Sequence, residues 1–188
     1  MVRVIAGEFK SRKLRTLDGQ ATRPTSDRLK EALFNLVQSR ISGATFLDCF
    51  AGSGSIGIEA LSRGAGFVVY VEESPRAVKV IRQNLALLDE DGTLRCQILG
   101  QKARAALKSL ERTRRKFDIV FLDPPYADGD QYPQVFEQLQ NCELLSDAAL
   151  VVAEHSKFLA LPAQVMHLER RREVRQGDSV LSLYHFQV

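Results

Sequence analysis

The sequence predicts an α/β fold in which helices cover both faces of a mostly parallel sheet of about seven strands. Short apolar or β-branched runs alternate with helix-length stretches through most of the 188 residues. The chain ends in two alternating runs on either side of Gln176-Gly177-Asp178, a pattern that predicts an antiparallel hairpin. A small β-hairpin and helix are predicted to precede the sheet.

The strands and helices of the central region are predicted from their length and hydrophobic pattern. In one predicted helix, apolar side chains recur every three or four residues between Ala77 and Leu88, as on a helix with one buried face. The predicted strands are Thr45–Cys49, Phe67–Glu72, Leu94–Leu99, Phe117–Leu122 and Ala148–Ala153. The predicted helices are Ser55–Ser62, Pro75–Leu88, Lys102–Glu111 and Tyr132–Gln140, and the final hairpin covers 165–174 and 180–188.

The N-terminal region is basic and has a different pattern. Short strands are predicted over Val2–Ala6 and Lys13–Leu17, and a helix over Asp27–Gln38 with Thr25 or Ser26 as its N-cap. Residues 1–40 contain nine Lys/Arg and four Asp/Glu, whereas the other 148 residues contain 17 and 19. This asymmetry favours a polyanionic partner, most simply a nucleic acid, although a solvated face without a partner is the alternative. We therefore predict a basic extension over 1–40 and a ligand-binding domain over 41–188.

The composition narrows the class of protein. A hydrophobic fraction of 45% and a charged fraction of 26% are typical of a globular protein. No apolar run approaches the roughly 20 residues that a membrane span requires, and the first residues do not resemble a signal peptide. The three cysteines are odd in number and lack metal-ligand spacing. These observations predict a cytoplasmic protein with reduced thiols and no bound metal, and a monomer is the default expectation.

A glycine-rich turn predicts a nucleotide-like ligand. Gly52, Gly54 and Gly57 follow a strand and open a helix, and Glu72 lies 20 residues past the first glycine. Glycines let the backbone approach a ligand closely, and an acid at this distance suits the hydroxyls of a ribose. Glu73 is the alternative acid, but Glu72 directly follows the apolar strand.

Asp48 indicates which nucleotide is bound. A carboxylate four residues before Gly52 would repel the anionic pyrophosphate of a dinucleotide. The same carboxylate would attract a ligand that carries a cationic sulfonium and an ammonium group. S-adenosylmethionine therefore fits better than NAD. The alternative role for Asp48 is a strand-end residue that binds loop amides.

The segment Asp123-Pro124-Pro125-Tyr126 predicts a site for a planar base with an exocyclic amino group. Two prolines end the preceding strand and hold the Asp123 carboxylate and the Pro124 carbonyl at the edge of the sheet. Both are acceptors for amino hydrogens, and the Tyr126 ring can stack on the base. A strand-ending turn with a surface acid is the alternative interpretation.

Taken in order, these motifs resemble those of the class I S-adenosylmethionine-dependent amino-methyltransferases, and further segments resemble the bacterial RsmD family. The segments that carry the second resemblance are Arg3–Gly7, Arg12–Leu14, Thr22–Arg28, Glu31–Asn35, Glu59–Ala65 and Glu154–Ser156. The resemblance implies a Rossmann-like methyltransferase domain and transfer of a methyl group to the N2 amine of one guanine in 16S rRNA. It covers nearly the whole chain.

The resemblance also implies which residues form the site. The cofactor would contact Asp48, Phe50, Gly52, Gly54, Gly57, Glu72 and Gln101. Gln101 stands where the family usually has an acid, so its contact with adenine would be uncharged. Asp123, Pro124 and Tyr126 would position the target amine. We assign Lys13, Arg23 and Arg28 to contacts with RNA phosphates, and His155, which follows the fifth strand at the same edge, to the pocket for the RNA base. For His155, an ordinary loop histidine is the alternative.

Three other functions remain open from the sequence. An adenine-N6 DNA methyltransferase shares the Asp123–Tyr126 motif. Such enzymes add a target-recognition region, however, and the basic extension over 1–40 leaves little room for one. A nicotinamide-dependent reductase explains the glycines but neither Asp48 nor the Asp123 loop. A non-catalytic RNA-binding module with a vestigial cofactor pocket would not need Asp123 and Tyr126.

Overall fold

The computed structural model describes residues 2–17, 26–89, 92–125 and 131–187. The helices are α1 (Asp27–Val37), α2 (Ser55–Ser62), α3 (Pro75–Ala86), α4 (Ala103–Glu111) and α5 (Gln131–Asn141). The strands are β1 (Val2–Arg3), β2 (Lys13–Leu14), β3 (Thr45–Cys49), β4 (Phe67–Val71), β5 (Cys96–Leu99), β6 (Phe117–Leu122), β7 (Leu145–Ser156), β8 (Gln164–Val165), β9 (Leu168–Gln176) and β10 (Ser179–Phe186).

The main sheet has eight strands in the order β5-β4-β3-β6-β7-β10-β9-β8. The five strands from β5 to β7 are parallel, and β10, β9 and β8 continue the sheet in antiparallel pairs. The chain moves outward from β3 in one direction through β4 and in the other through β6, so a topological switch point lies between β3 and β6. Ligands bind at such points in open α/β sheets.

The predicted architecture is confirmed, with differences at the ends of elements. The sheet has eight strands where about seven are predicted, because the two-residue β8 adds an edge beside β9. β7 is longer than the predicted Ala148–Ala153, since its last residues continue to pair with β10 up to Ser156 and Ser179. β1 and β2 form the predicted N-terminal hairpin but have only two residues each.

Two hydrophobic clusters lie on opposite faces of the sheet. One contains apolar residues of α1, α2 and α3, together with Val2, Val4 and Leu14 of the N-terminal segment. The other contains apolar residues of α4 and α5. The N-terminal hairpin and α1 therefore share a core with the sheet. Within the described residues, no helix is both long and apolar enough to cross a membrane.

A buried charge network fastens the N-terminal segment to α2. The Glu59 carboxylate accepts hydrogen bonds from the backbone N–H groups of Ile5 and Ala6 at 2.8 and 2.9 Å. It also accepts from Arg63 Nε at 2.8 Å and lies 3.7 Å from Lys30 Nζ. Glu59 and Lys30 are both 0% exposed. The helix that begins at the glycine turn is thus tied directly to the basic extension.

Candidate active site

The turn between β3 and α2 has a backbone that requires glycine. Gly52 and Gly54 have φ angles of +55° and +78°, which disfavour a side chain, and Phe50 also has a positive φ of +74°. The N–H groups of Phe50 and Ala51 both donate to the carbonyl of Val71, which anchors this turn to the end of β4. The predicted cofactor-binding residue Phe50 is half-buried beside these glycines.

Gly57 is required for packing rather than for backbone geometry. A Cβ added there would lie 2.2 Å from the ring of Tyr70, a fully buried residue of β4. Without that Cβ, α2 packs directly on the sheet. Its first turn thereby brings the Gly57 N–H within 2.8 Å of Asp48 Oδ2.

Glu72 bridges the two loops that follow β3 and β4. Its Oε2 accepts from the Gly52 N–H and its Oε1 from the Ser74 N–H, both at 2.8 Å. Each carboxylate oxygen can accept a further hydrogen bond. Glu72 is therefore held at the glycine turn with acceptor capacity to spare, and its contact with a ribose stays a prediction.

Asp48 and Asp123 lie at the ends of the adjacent parallel strands β3 and β6. Burial raises the pKa of Asp48 to about 7; the Gly57 N–H opposes this rise, and the charges of Asp123 and Glu72 add to it. Burial also raises the pKa of Asp123 to about 7. The switch point thus concentrates negative charge from three carboxyl groups.

This charge distribution is suited to a cationic ligand. A positive group placed near Asp48 would favour the ionised carboxylates and relieve their mutual repulsion. The pyrophosphate of a dinucleotide would increase that repulsion. Within the described residues, no group of three or more His, Cys, Asp or Glu side chains is arranged to hold a metal ion.

Cofactor affinity is expected to depend on pH because of these raised pKa values. Below pH 7 the two carboxyl groups are mostly protonated and neutral, and above pH 7 they are mostly ionised, so affinity for a cation increases as the pH rises. We expect the Kd for S-adenosylmethionine to fall about 10-fold between pH 6 and pH 8 for one controlling group of this pKa. Isothermal titration calorimetry at both pH values measures the change.

The controls for this prediction change the charge of the ligand or of the protein and keep its shape nearly the same. S-adenosylhomocysteine has a neutral sulfur, so its Kd should change less with pH. Asp48→Asn should weaken S-adenosylmethionine binding and flatten its pH dependence. An equal Kd for S-adenosylmethionine at pH 6 and pH 8 would contradict the assignment of the Asp48 carboxylate to the cation.

The loop after β6 begins as the sequence predicts. Asp123 is half-buried, Pro124 is buried and Pro125 is exposed, and Tyr126 lies outside the described residues. Leu122 pairs with Ala153 of β7, so Asp123 lies at the level of Glu154. The backbone carbonyl of Glu154 accepts a hydrogen bond from the Tyr132 hydroxyl, which fixes the start of α5 against this edge.

His155 does not have the exposure that an RNA contact requires. It is 3% exposed, with Nδ1 3.0 Å from the Ser156 carbonyl oxygen and Nε2 2.8 Å from Ser182 Oγ. Burial lowers its pKa, which favours the neutral ring. His155 therefore links β7 to β10, and we do not include it among the RNA contacts.

The other predicted residues are at the surface or outside the described ranges. Lys13 and Arg28 are exposed, and Arg23 lies outside the described residues. Gln101 is exposed just past β5, where its N–H donates to the Leu99 carbonyl at 3.0 Å. Next to it, a surface cavity of about 430 Å³ is bounded by Gly100, Val78 and Glu73, the alternative to Glu72.

Asn84 is a positioning residue that the sequence interpretation missed. Its amide nitrogen donates to the carbonyls of Ser53, at 3.0 Å, and Arg15, at 3.1 Å, and its oxygen accepts from the Arg15 N–H at 2.8 Å. It is fully buried on α3. The sequence feature that could have identified Asn84 is its position as a polar residue between Ile81 and Leu88 on the apolar face of the predicted helix.

Comparison with known proteins is consistent with this site. A family model described as conserved hypothetical protein 95 matches residues 2–185. Ribosomal RNA small subunit methyltransferase D of Escherichia coli K12 is 34% identical over 183 residues, which cover 97% of this chain and 89% of that protein. The protein of the same name from Haemophilus influenzae is 41% identical over 125 residues, or 66% and 64% of the two chains.

Solved structures show the same architecture. A hypothetical protein of Thermus thermophilus is 29% identical with a TM-score of 0.83, and the match covers 100% of both chains. A SAM-dependent methyltransferase from Agrobacterium tumefaciens is 19% identical with a TM-score of 0.64, over 87% of this chain and 63% of the other. The second likeness shows the fold alone.

Proposed function

The chain belongs to the family described as conserved hypothetical protein 95, and we propose that it transfers a methyl group from S-adenosylmethionine to 16S rRNA of the small ribosomal subunit. The acceptor in this proposal is the exocyclic N2 amine of a guanine. Relatives named ribosomal RNA small subunit methyltransferase D support the rRNA substrate. The observation that carries the proposal is a pair of carboxyl groups at the switch point, the buried Asp48 and the half-buried Asp123, at the ends of adjacent strands.

The residues at this point fit S-adenosylmethionine. When bound, it supplies an electrophilic methyl group on a positively charged sulfur. Asp48 provides the opposite charge, the glycine turn permits close approach of the backbone, and Glu72 provides acceptors for ribose hydroxyls. Phe50 and Gln101 complete the proposed cofactor contacts.

Asp123 and Pro124 position the acceptor amine. The lone pair of a guanine N2 is delocalised into the purine ring, so the amine is a poor nucleophile. Hydrogen bonds from its two hydrogens to the Asp123 carboxylate and the Pro124 carbonyl orient it and favour a pyramidal nitrogen. As the nitrogen gains positive charge, the Asp123 carboxylate stabilises it. The alkylated nitrogen is strongly acidic and loses one proton to solvent water, so positioning and charge provide most of the catalysis.

The basic extension provides the RNA contacts in this proposal. Lys13 and Arg28 are exposed on the hairpin and on α1, and Arg23 is the third proposed phosphate contact. A base stacked in a helix cannot reach Asp123, so an unpaired or extruded guanine is the expected substrate. A monomeric state and a cytoplasmic location are part of the same proposal.

Transfer of labelled methyl groups from S-adenosylmethionine to a panel of nucleic acids tests this function. The panel contains 16S RNA, assembling small subunits and duplex DNA. The proposal predicts label in ribosomal RNA, free or assembled, and none in DNA. Label on DNA adenine would identify an adenine-N6 DNA methyltransferase, and cofactor binding without any transfer would indicate a non-catalytic RNA-binding module.

A further inference from the structure

Phe158 is an exposed aromatic residue at the edge of the sheet where Asp123 lies. Its side chain is 85% exposed, two residues after the end of β7. β7 is parallel to β6, so the carboxyl ends of both strands meet at the same edge. The proposed reaction does not involve this side chain.

The strand register bounds the separation of Phe158 from the reacting position. Asp123 lies at the level of Glu154, because the preceding residues Leu122 and Ala153 are paired. Phe158 comes four residues after Glu154, and four extended residues span at most about 14 Å. That limit keeps Phe158 within reach of nucleotides that flank the target.

The loop that carries Phe158 is held in place by hydrogen bonds. The Lys157 N–H donates to the Asp178 carbonyl at 2.9 Å, and the Leu159 N–H donates to the Ser156 carbonyl at 3.0 Å. The Lys157 ammonium lies 2.7 Å from Asp178 Oδ1 and 5.0 Å from the centre of the Phe158 ring. The ring is therefore presented to solvent by an anchored backbone, and binding on it costs little ordering of the loop.

The position of Phe158 distinguishes it from the other exposed large apolar residues among those described. Leu87 is 46% and Met166 is 48% exposed. Leu87 follows α3, which runs back from the carboxyl ends of the strands, and Met166 lies just before β9, which begins at the opposite edge. In the described part of the chain, Phe158 is thus the large exposed apolar side chain on the reaction edge.

We propose that Phe158 is a stacking platform for an unpaired base of the RNA substrate that flanks the target guanine. This inference rests on the proposed function. An aromatic face stacks on any base without reading its identity, and a stacked neighbour would keep the strand open while the target reaches Asp123. The Lys157 ammonium covers one side of the ring, its contact with Asp178 fixes it there, and the free face receives the base.

A single-tryptophan variant tests the stacking directly, because the chain contains no tryptophan. Phe158→Trp places the only indole on the platform, and Leu87→Trp places one at the opposite edge as a matched control. Unmodified 16S RNA fragments should quench the fluorescence of the Phe158→Trp protein and leave that of the Leu87→Trp protein unchanged.

Kinetics provide the second measurement. Phe158→Ala should raise the KM for RNA about 5- to 150-fold, the range that one base–aromatic stack provides, with kcat and the Kd for S-adenosylmethionine changed less than about twofold. Phe158→Trp should restore the KM. Because the side chain is exposed, both variants are expected to fold.

The outcomes separate this inference from the proposed function. Unchanged KM for Phe158→Ala in an enzyme that methylates RNA would overturn the platform and leave the function standing. Quenching by RNA in a protein that transfers no methyl group would support base stacking on Phe158 and contradict the proposed methyl transfer. A raised KM with assembling subunits, but no quenching by any RNA, would assign Phe158 to a protein contact and contradict stacking.

Discussion

Asp123→Asn is expected to lower kcat for methyl transfer by about 100- to 1000-fold, the effect of removing one well-placed group that stabilises transition-state charge. The amide retains the size of the carboxyl group but cannot compensate positive charge on the acceptor nitrogen. Cofactor binding should survive, because the charge of Asp123 is one cause of the raised pKa of Asp48. Without that charge, Asp48 should ionise at lower pH and S-adenosylmethionine should bind at pH 6 at least as tightly as before. Single-turnover kinetics and calorimetry measure the two effects separately.

Asp118→Asn is the matched control for this variant. Asp118 is on the same strand, near its other end, and its Oδ2 accepts a hydrogen bond from the Thr45 N–H that an amide oxygen can also accept. Its kcat should remain within about threefold of the unmodified enzyme, since Asp118 contacts no reacting atom. A loss of activity in Asp118→Asn that equals the loss in Asp123→Asn would mean that the effect is structural.

Glu59→Ala is expected to destabilise the fold by about 3–5 kcal/mol, because it removes one partner from a buried ion pair. Lys30 is fully buried, and burial already lowers its pKa against the attraction of Glu59. Removing Glu59 also leaves the N–H groups of Ile5 and Ala6 without their acceptor. The loss is a large part of the roughly 5–15 kcal/mol that stabilises a typical domain, and urea unfolding measures it.

A double variant locates the origin of this cost. Adding Lys30→Met to Glu59→Ala should recover part of the lost unfolding free energy, because the fully buried Lys30 ammonium is then no longer left without its carboxylate. Glu137→Ala, which removes an exposed acid on α5, should change the unfolding free energy by less than about 0.5 kcal/mol. A cost below about 1 kcal/mol for Glu59→Ala would show that the network does not hold the N-terminal segment in place.

The elements that carry the candidate site, β3, α2 and β6, could be predicted from the sequence because the patterns that indicate them are local. β3, α2 and β6 begin and end at the predicted residues, since glycine or a charged residue directly flanks α2 and β6, and Gly43 and Gly52 lie close to the ends of β3. The motifs at Asp48, Gly52 and Asp123 identify the carboxyl edge of a parallel sheet before any coordinates are known. The resemblance to the RsmD family is confirmed by the family model and the named relatives.

What the sequence did not predict depends on contacts between distant residues. Lys30 and Glu59 are charged, so the sequence alone predicts that they are exposed at the surface. They are buried because α1 and the N-terminal segment pack on α2. Asn84 forms hydrogen bonds with Arg15, which is 69 positions away in the chain, and with Ser53, which is 31 positions away. No local sequence pattern predicts contacts over such separations. His155 lies near the end of β7 at the expected edge, but the pairing of β7 with β10 buries the ring.

The most direct measurement for the proposed reaction is the identity of the methylated nucleoside. Unmodified 16S RNA or assembling small subunits would be incubated with the enzyme and S-adenosylmethionine carrying a labelled methyl group. The RNA would be digested to nucleosides and separated by liquid chromatography with mass spectrometry, with Asp123→Asn in parallel. We predict label in N2-methylguanosine from the unmodified enzyme and almost none from the variant. Label in any other nucleoside, or equal label from both proteins, would contradict the assignment of Asp123 to a guanine N2 amine.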